Sequence, residues 1–165
     1  MRELNLQSLS PLTVLCPDDP NIKLMINEMI TAWNSQFNNY FNLEPLSESS
    51  LQTHIRSGDY DFAVCPLKPD TGDPSAMLSL FTSGADGNPA CLKDSAYDAL
   101  VSSAQTKGGS GGMAADSQAA EYLGQKAIFY PLYYGKSYYA SAQGVSGIVF
   151  YPFHGIVDFR NTKKG

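Results

Sequence analysis

A carboxylate on a loop that follows a buried strand can hold a cationic ligand group, and Asp70 is such a carboxylate. It comes shortly after Gly58-Asp59-Tyr60-Asp61-Phe62-Ala63-Val64-Cys65 and is followed by Asp73-Pro74, Asn88 and Asp98. Gly58-Asp59 signals a turn, because glycine reaches positive φ without a Cβ clash and aspartate bonds its own backbone there. Phe62-Ala63-Val64-Cys65 is a short apolar run of the kind found in a strand covered on both faces. Pro66 and Pro69 cannot donate to a ladder, so the strand should end near them. The chain then emerges at the carboxyl edge of an open α/β sheet, where ligands sit in such sheets. Lys68 and Asp70 are expected on that loop. A solvated loop or helix-capping role is the plain alternative for Asp70.

Catalytic chemistries find less support. No Gly-x-Ser-x-Gly turn is present, and the two histidines fall on an amphipathic helix (His54) and in the tail (His154). Cys65 or Ser75 would need a base brought close by the fold. Asp59 and Asp61 suit turn and capping roles better than an acid/base pair. Lys107-Gly108-Gly109-Ser110-Gly111-Gly112 has its lysine before the glycines, the reverse of a phosphate loop, and reads as a flexible linker. Cys16, Cys65 and Cys91 are odd in number, lack C-x-x-C spacing and have no nearby histidine. Cys16 and Cys65 read as small buried hydrophobes at strand ends, with a disulfide left open. No metal site and no cofactor are expected.

The elements that must position the Asp70 loop are legible from periodicity. Leu12-Thr13-Val14-Leu15-Cys16 is a compact strand. Ile22, Met25, Ile26, Met29, Ile30, Trp33 and Phe37 then mark one face of a helix. Asp18 or Asp19 can cap it, Pro20 suits its first turn, and Asn38-Asn39 can end it. Tyr40 to Glu44 alternates as a second strand. Ser47 to Ser57 reads as a helix capped by Ser47, with Leu51, His54 and Ile55 inward. The strand of Phe62 completes β-α-β-α-β, a parallel sheet with the first strand in the middle. Beyond it, the sequence predicts a short helix at Ser75 to Phe81, a loop at Thr82 to Pro89, and helices at Ser95 to Gln105 and Ala114 to Gln125. Ala127 to Tyr134 reads as strand-like, and Tyr138 to Phe159 as an extended or irregular aromatic tail.

Composition sets the outer bounds. The 165 residues suffice for one domain with one core. Hydrophobic residues make up 43% and charged residues 16%, which is a globular balance. At −5, with Lys and Arg spread from Arg2 to Lys164, the chain does not suggest a nucleic-acid groove. No apolar run approaches the roughly 20 residues that span a bilayer, and the first residues lack a secretory h-region.

Taken in order, these segments resemble the C-terminal lobe of an extracellular solute-binding protein of the oligopeptide and dipeptide (peptide/nickel) ABC importer family. The likeness runs from about Leu12 to Leu132, more weakly into the tail. Its carriers are Ala32-Trp33-Asn34, Phe41-Asn42-Leu43, Gly58-Asp59-Tyr60-Asp61-Phe62, Asp70, Asp73-Pro74, Leu80-Phe81, Asn88, Tyr97-Asp98-Ala99-Leu100, Ala127-Ile128 and Pro131-Leu132-Tyr133. The resemblance implies an α/β, type II periplasmic-binding-protein-like lobe, with residues 1–11 as a leading linker, 12–135 as the lobe and 136–165 as a segment returning toward a missing lobe. It implies non-catalytic peptide capture in a two-lobed cleft and delivery to the membrane permease of an ABC importer. In this family an aspartate on the loop after the third strand can pair with the peptide α-ammonium, and it falls on Asp70. Leu67 and Lys68 take neighbouring cleft positions, and Asn88 matches an asparagine near the pocket. Leu67 stands where many members carry an aromatic residue, and Pro66 where a glycine is common, which alters the pocket's shape. Full members are several times longer, so the chain resembles an excised part with an added initiator methionine, expected to be monomeric. The implied location is extracytoplasmic, as a periplasmic protein or a cell-surface lipoprotein. A nickel chelate or sugar is the alternative ligand on this scaffold. A small α/β hydrolase is the alternative of another class.

Overall fold

A computed structural model describes residues 10–69, 71–136, 138–151 and 155–165. The described residues form two compact units. The first comprises residues up to Leu67 together with Asp86–Lys93; the second comprises Lys68–Ala85 and Asp94–Gly165. The sequence length suggests one core. A small sheet with a helix on each face closes its own core, however, while the later helices pack on one another.

In the first unit β1 (Leu12–Pro17), β2 (Phe41–Leu46) and β3 (Phe62–Ala63) form a parallel sheet in the order β2-β1-β3. Leu12 pairs with Phe41 and Val14 with Phe62, so the first strand is central, as the crossovers require. Helix α1 (Pro20–Phe37) covers one face through Ile26 and Ile30, which meet Val14 and Cys16. Helix α2 (Glu48–Ser57) covers the other through Leu51 and Ile55 against Leu15. Alternation along β1 thus feeds two apolar layers, the pattern of a strand covered on both sides.

The helix ends follow their sequence signals. Asp19 caps α1, its carboxylate accepting from the amides of Asn21 at 2.9 Å and Ile22 at 3.1 Å, and left-handed Asn38 ends it. Ser47 caps α2, and Gly58 ends it at φ 70°. Two inward assignments fail at the rims. Phe37, the last residue of α1, is 59% exposed, and His54 stays partly exposed on the last turn of α2. Asn34 explains part of the sequence resemblance, because its amide clasps both backbone groups of Phe41, accepting at 2.8 Å and donating at 2.9 Å. The turn from α1 to β2 is fixed by a side chain that mimics a strand partner.

The second unit is built on α3 (Pro74–Ser79), α4 (Ser95–Lys107) and α5 (Gly109–Gln125). Its core holds Leu78, Phe81, Tyr97, Val101, Ala104, Ala115, Ala119 and Leu123, all buried. The flexible linker expected over 107–112 is overturned: Gly108 alone separates α4 from α5, and the other glycines lie inside α5. The physical reason is close packing. A Cβ on buried Gly112 would stand 2.9 Å from the carbonyl oxygen of Ala104, so glycine lets the two helices approach. The strand expected over Ala127 to Tyr134 is also overturned, since those residues find no partner strand and take no regular structure. The tail instead forms two short antiparallel ribbons, β4 (Val145–Ser146) with β7 (Lys163–Lys164) and β5 (Val149–Tyr151) with β6 (Ile156–Asp158).

Candidate functional site

The carboxyl edge of the parallel sheet is where the first unit can meet a ligand. Both crossover helices begin there, α1 three residues after β1 and α2 two residues after β2. Their first turns are closed by their own caps, Asp19 and Ser47. Asp18 holds Lys23 at 2.6 Å, which pushes the lysine ammonium up from its ordinary value.

From this edge β3 delivers the expected ligand loop. Pairing continues one residue past the strand, with the amide of Val64 donating to the carbonyl of Leu15 at 2.8 Å. Pro66 and Pro69 then keep the chain from extending the ladder. Leu67 is half-buried and ends the first unit; Lys68 is exposed, in no ion pair among the described residues, and opens the second. Asp70 lies outside the described residues.

Asn88 is half-buried and makes two bonds within its own loop. Its amide oxygen accepts from the backbone of Ala90 at 3.1 Å and its nitrogen donates to the carbonyl of Leu92 at 3.0 Å. Tyr60 secures the same loop, its hydroxyl donating to the carbonyl of Pro89 at 2.6 Å. In the second unit Asp98 accepts from the amide of Ser83 at 2.9 Å. Tyr60, Asn88 and Asp98, three carriers of the resemblance, therefore hold long loops in fixed shapes.

Among the described residues no serine or cysteine side chain hydrogen-bonds to a histidine ring, and His154 lies outside them. Cys65 packs beside Leu15, Leu51 and Ile55, and burial raises its thiol pKa, which disfavours the reactive thiolate. His54 stands near the amino edge instead, its Nδ1 facing the Asp59 carboxylate at 3.3 Å and the Asp59 carbonyl at 3.1 Å. Asp61 is occupied at that edge too, accepting from the first-strand amide of Thr13 at 2.9 Å. In the second unit Ser75 donates to Asp116 at 2.8 Å, a serine on a carboxylate with no imidazole between them. No group of three or more metal-binding side chains occurs among the described residues.

Sequence spacing gave no hint of two further polar pairs. Ser75 and Asp116 are 41 positions apart, and Tyr122 donates to Asp94 across 28 positions at 2.6 Å. That bond, together with the amides of Tyr97 and Ala96, holds the Asp94 carboxyl below the usual carboxylate range. The packing of α5 against α3 and α4 brings these partners together.

No protein-family model and no curated protein sequence matches the chain. Solved structures do. The substrate-binding domain of an oligopeptide ABC transporter from Bacillus anthracis superposes at a TM-score of 0.80 with 19% identity, covering 99% of this chain. This is the type II periplasmic-binding-protein fold. A dipeptide-binding protein from Pseudoalteromonas, solved with Met-Leu, shares that fold at a TM-score of 0.74 and 20% identity over 99% of the chain. The murein tripeptide-binding protein of Escherichia coli does so at 0.68 and 22% identity over 74%. The chain spans 32%, 34% and 24% of these three structures respectively, so it corresponds to one part of the periplasmic-binding-protein fold.

Proposed function

We propose that the chain is the ligand-facing lobe of a peptide-binding protein that captures its ligand without catalysis and passes it to the permease of an ABC importer. The observation that carries this reading is the superposition over 99% of the chain on an oligopeptide-transporter substrate-binding domain at a TM-score of 0.80. The proposed contacts are Leu67, Lys68, Asp70 and Asn88, with Asp70 holding the peptide α-ammonium and Leu67 forming an apolar wall. The protein works outside the cytoplasm, as a periplasmic or lipid-anchored component.

The physics of such a site suits the residues. A receptor for varied peptides draws its affinity from what every peptide shares: backbone amides, carbonyls and a charged amino terminus. A charge-assisted bond in a partly desolvated cleft is stronger than a neutral one, so a single carboxylate can set register without reading side chains. Wet pockets then accept different side chains. His54 is engaged by Asp59 and burial raises the Cys65 thiol pKa, and both favour capture over hydrolysis.

Native mass spectrometry of the protein as isolated, followed by calorimetry with the peptide identified, tests the reading. A co-purified peptide that rebinds intact supports it. Selective labelling of one serine or cysteine by an active-site probe, with turnover of the peptide, would replace it with an enzyme.

A further inference from the structure

The loop proposed to face the ligand runs from Pro66 into α3, and α3 is too short to hold itself. It has six residues, Pro74–Ser79, whereas an isolated helix needs roughly 12–15 to be even marginal in water. Its place is therefore fixed by its neighbours. At its C-terminal end Leu78 is buried, and the Tyr97 hydroxyl of α4 donates to the Leu78 carbonyl at 2.7 Å. Gln105 of α4 donates to the Ser79 hydroxyl at 3.1 Å. At the end next to the loop, one side-chain hydrogen bond reaches another element among the described residues: the Ser75 hydroxyl donates to the Asp116 carboxylate of α5 at 2.8 Å. Short bonds carry this tie back along the chain. The Ser75 amide donates to the Asp73 carboxylate at 2.9 Å, and the Asp73 amide donates to the Thr71 hydroxyl at 3.3 Å. Thr71 is the residue after Asp70.

From this we infer that Asp116 is a positioning residue for the ligand loop, acting through Ser75 and touching no ligand itself. The inference rests on the proposed capture of a peptide amino terminus by that loop. Asp116 is half-buried and in no ion pair among the described residues, so its carboxylate is left to accept from Ser75. A hydrogen bond to an ionised acceptor is stronger than a neutral one, which suits a single bond that must pin one end of a loop. The core does not depend on it. Leu78, Tyr97 and Gln105 already seat the rest of α3, so losing the Ser75 bond frees the first turn and the loop before it. Such loosening acts on population: a loop that stands in its binding shape for only a fraction of the time lowers apparent affinity by that fraction.

Calorimetry with trialanine and N-acetyl-trialanine tests it, together with hydrogen exchange of the unliganded protein. Ser75→Ala and Asp116→Ala should each weaken trialanine binding about fivefold, the size of one net hydrogen bond acting on the competent fraction. The double variant should be no weaker than either, because both changes remove the same bond. Asp116→Asn keeps an acceptor and should bind within about twofold of wild type. A bond that served stability alone would affect both peptides alike. Here the loss should largely vanish with N-acetyl-trialanine, which lacks the charged amino terminus. Exchange over residues 68–76 should quicken in both alanine variants while α4 and α5 keep their protection. Wild-type affinity in both alanine variants, equal losses on the two peptides, or an Asp116→Asn protein as weak as Asp116→Ala overturns the inference. Equal binding of the two peptides by the wild type, or of neither, instead strikes the amino-terminal reading itself, and the inference falls with it.

Discussion

Replacing Gly112 with alanine should weaken the second unit, although alanine is the better helix former. In an open helix interior the exchange gains about 0.5–1 kcal/mol, because glycine loses more backbone freedom on folding. Gly124 provides that case within α5, as nothing stands within 4 Å of its added Cβ. At Gly112 the same carbon lies 2.9 Å from the carbonyl oxygen of Ala104. That neighbour is backbone and cannot rotate aside, so α4 and α5 must part. Tyr97, Val101, Ala115, Ala119 and Leu123 then lose contact, and overpacking of this kind costs roughly 1–3 kcal/mol. After the propensity gain, a net loss of roughly 0.5–2 kcal/mol remains. Urea denaturation, with hydrogen exchange read on α4 and α5, should show Gly112→Ala less stable and Gly124→Ala more stable than the parent. Equal stabilisation by both would refute close packing of these helices and restore a loose glycine linker.

Other consequences are as direct. Burial and the nearby Asp98 and Asp116 raise the Tyr97 phenol to about 12, and its hydroxyl donates to the carbonyl of Leu78 at 2.7 Å. A phenol raised above its unfolded value of 10.0 contributes stability that is complete below that pH and is lost as pH climbs through about 12. Alkaline unfolding should show this loss, and Tyr97→Phe should abolish it while costing about 1–2 kcal/mol at neutral pH. Asp19→Ala should cost about 1 kcal/mol by removing the α1 cap, measured by thermal unfolding. Iodoacetamide should label exposed Cys91 first, half-buried Cys65 more slowly, and Cys16 only on unfolding, as read by peptide mass mapping.

What the sequence made legible was the part governed by local pattern. The parallel sheet, its central strand, the Asp19 and Ser47 caps and the Asn38 stop follow from periodicity and turn chemistry that short segments carry by themselves. Glycines at 108–112 misled because composition reports flexibility, whereas a glycine facing another helix reports proximity, and proximity needs the fold. Ala127 to Tyr134 had β-forming residues without a partner strand, and strand preference depends on pairing. At the candidate site, Lys68 was placed on its loop by the prolines around it, and Leu67 came from the resemblance alone. Asn88 was harder, since nothing in Gly87-Asn88-Pro89 says whether an amide faces a ligand or closes its own turn.

The claim that matters most is recognition of a peptide amino terminus by Asp70, and a double cycle measures it directly. Calorimetry would compare wild type and Asp70→Asn, each with a bound peptide and with its N-acetylated form. Removing one partner of a buried charge pair costs about 2–5 kcal/mol. If the pair forms, acetylation should matter far less in Asp70→Asn than in wild type, giving a clear coupling energy. Additive losses, or full affinity in Asp70→Asn, would contradict the account and leave Asp70 an ordinary loop carboxylate.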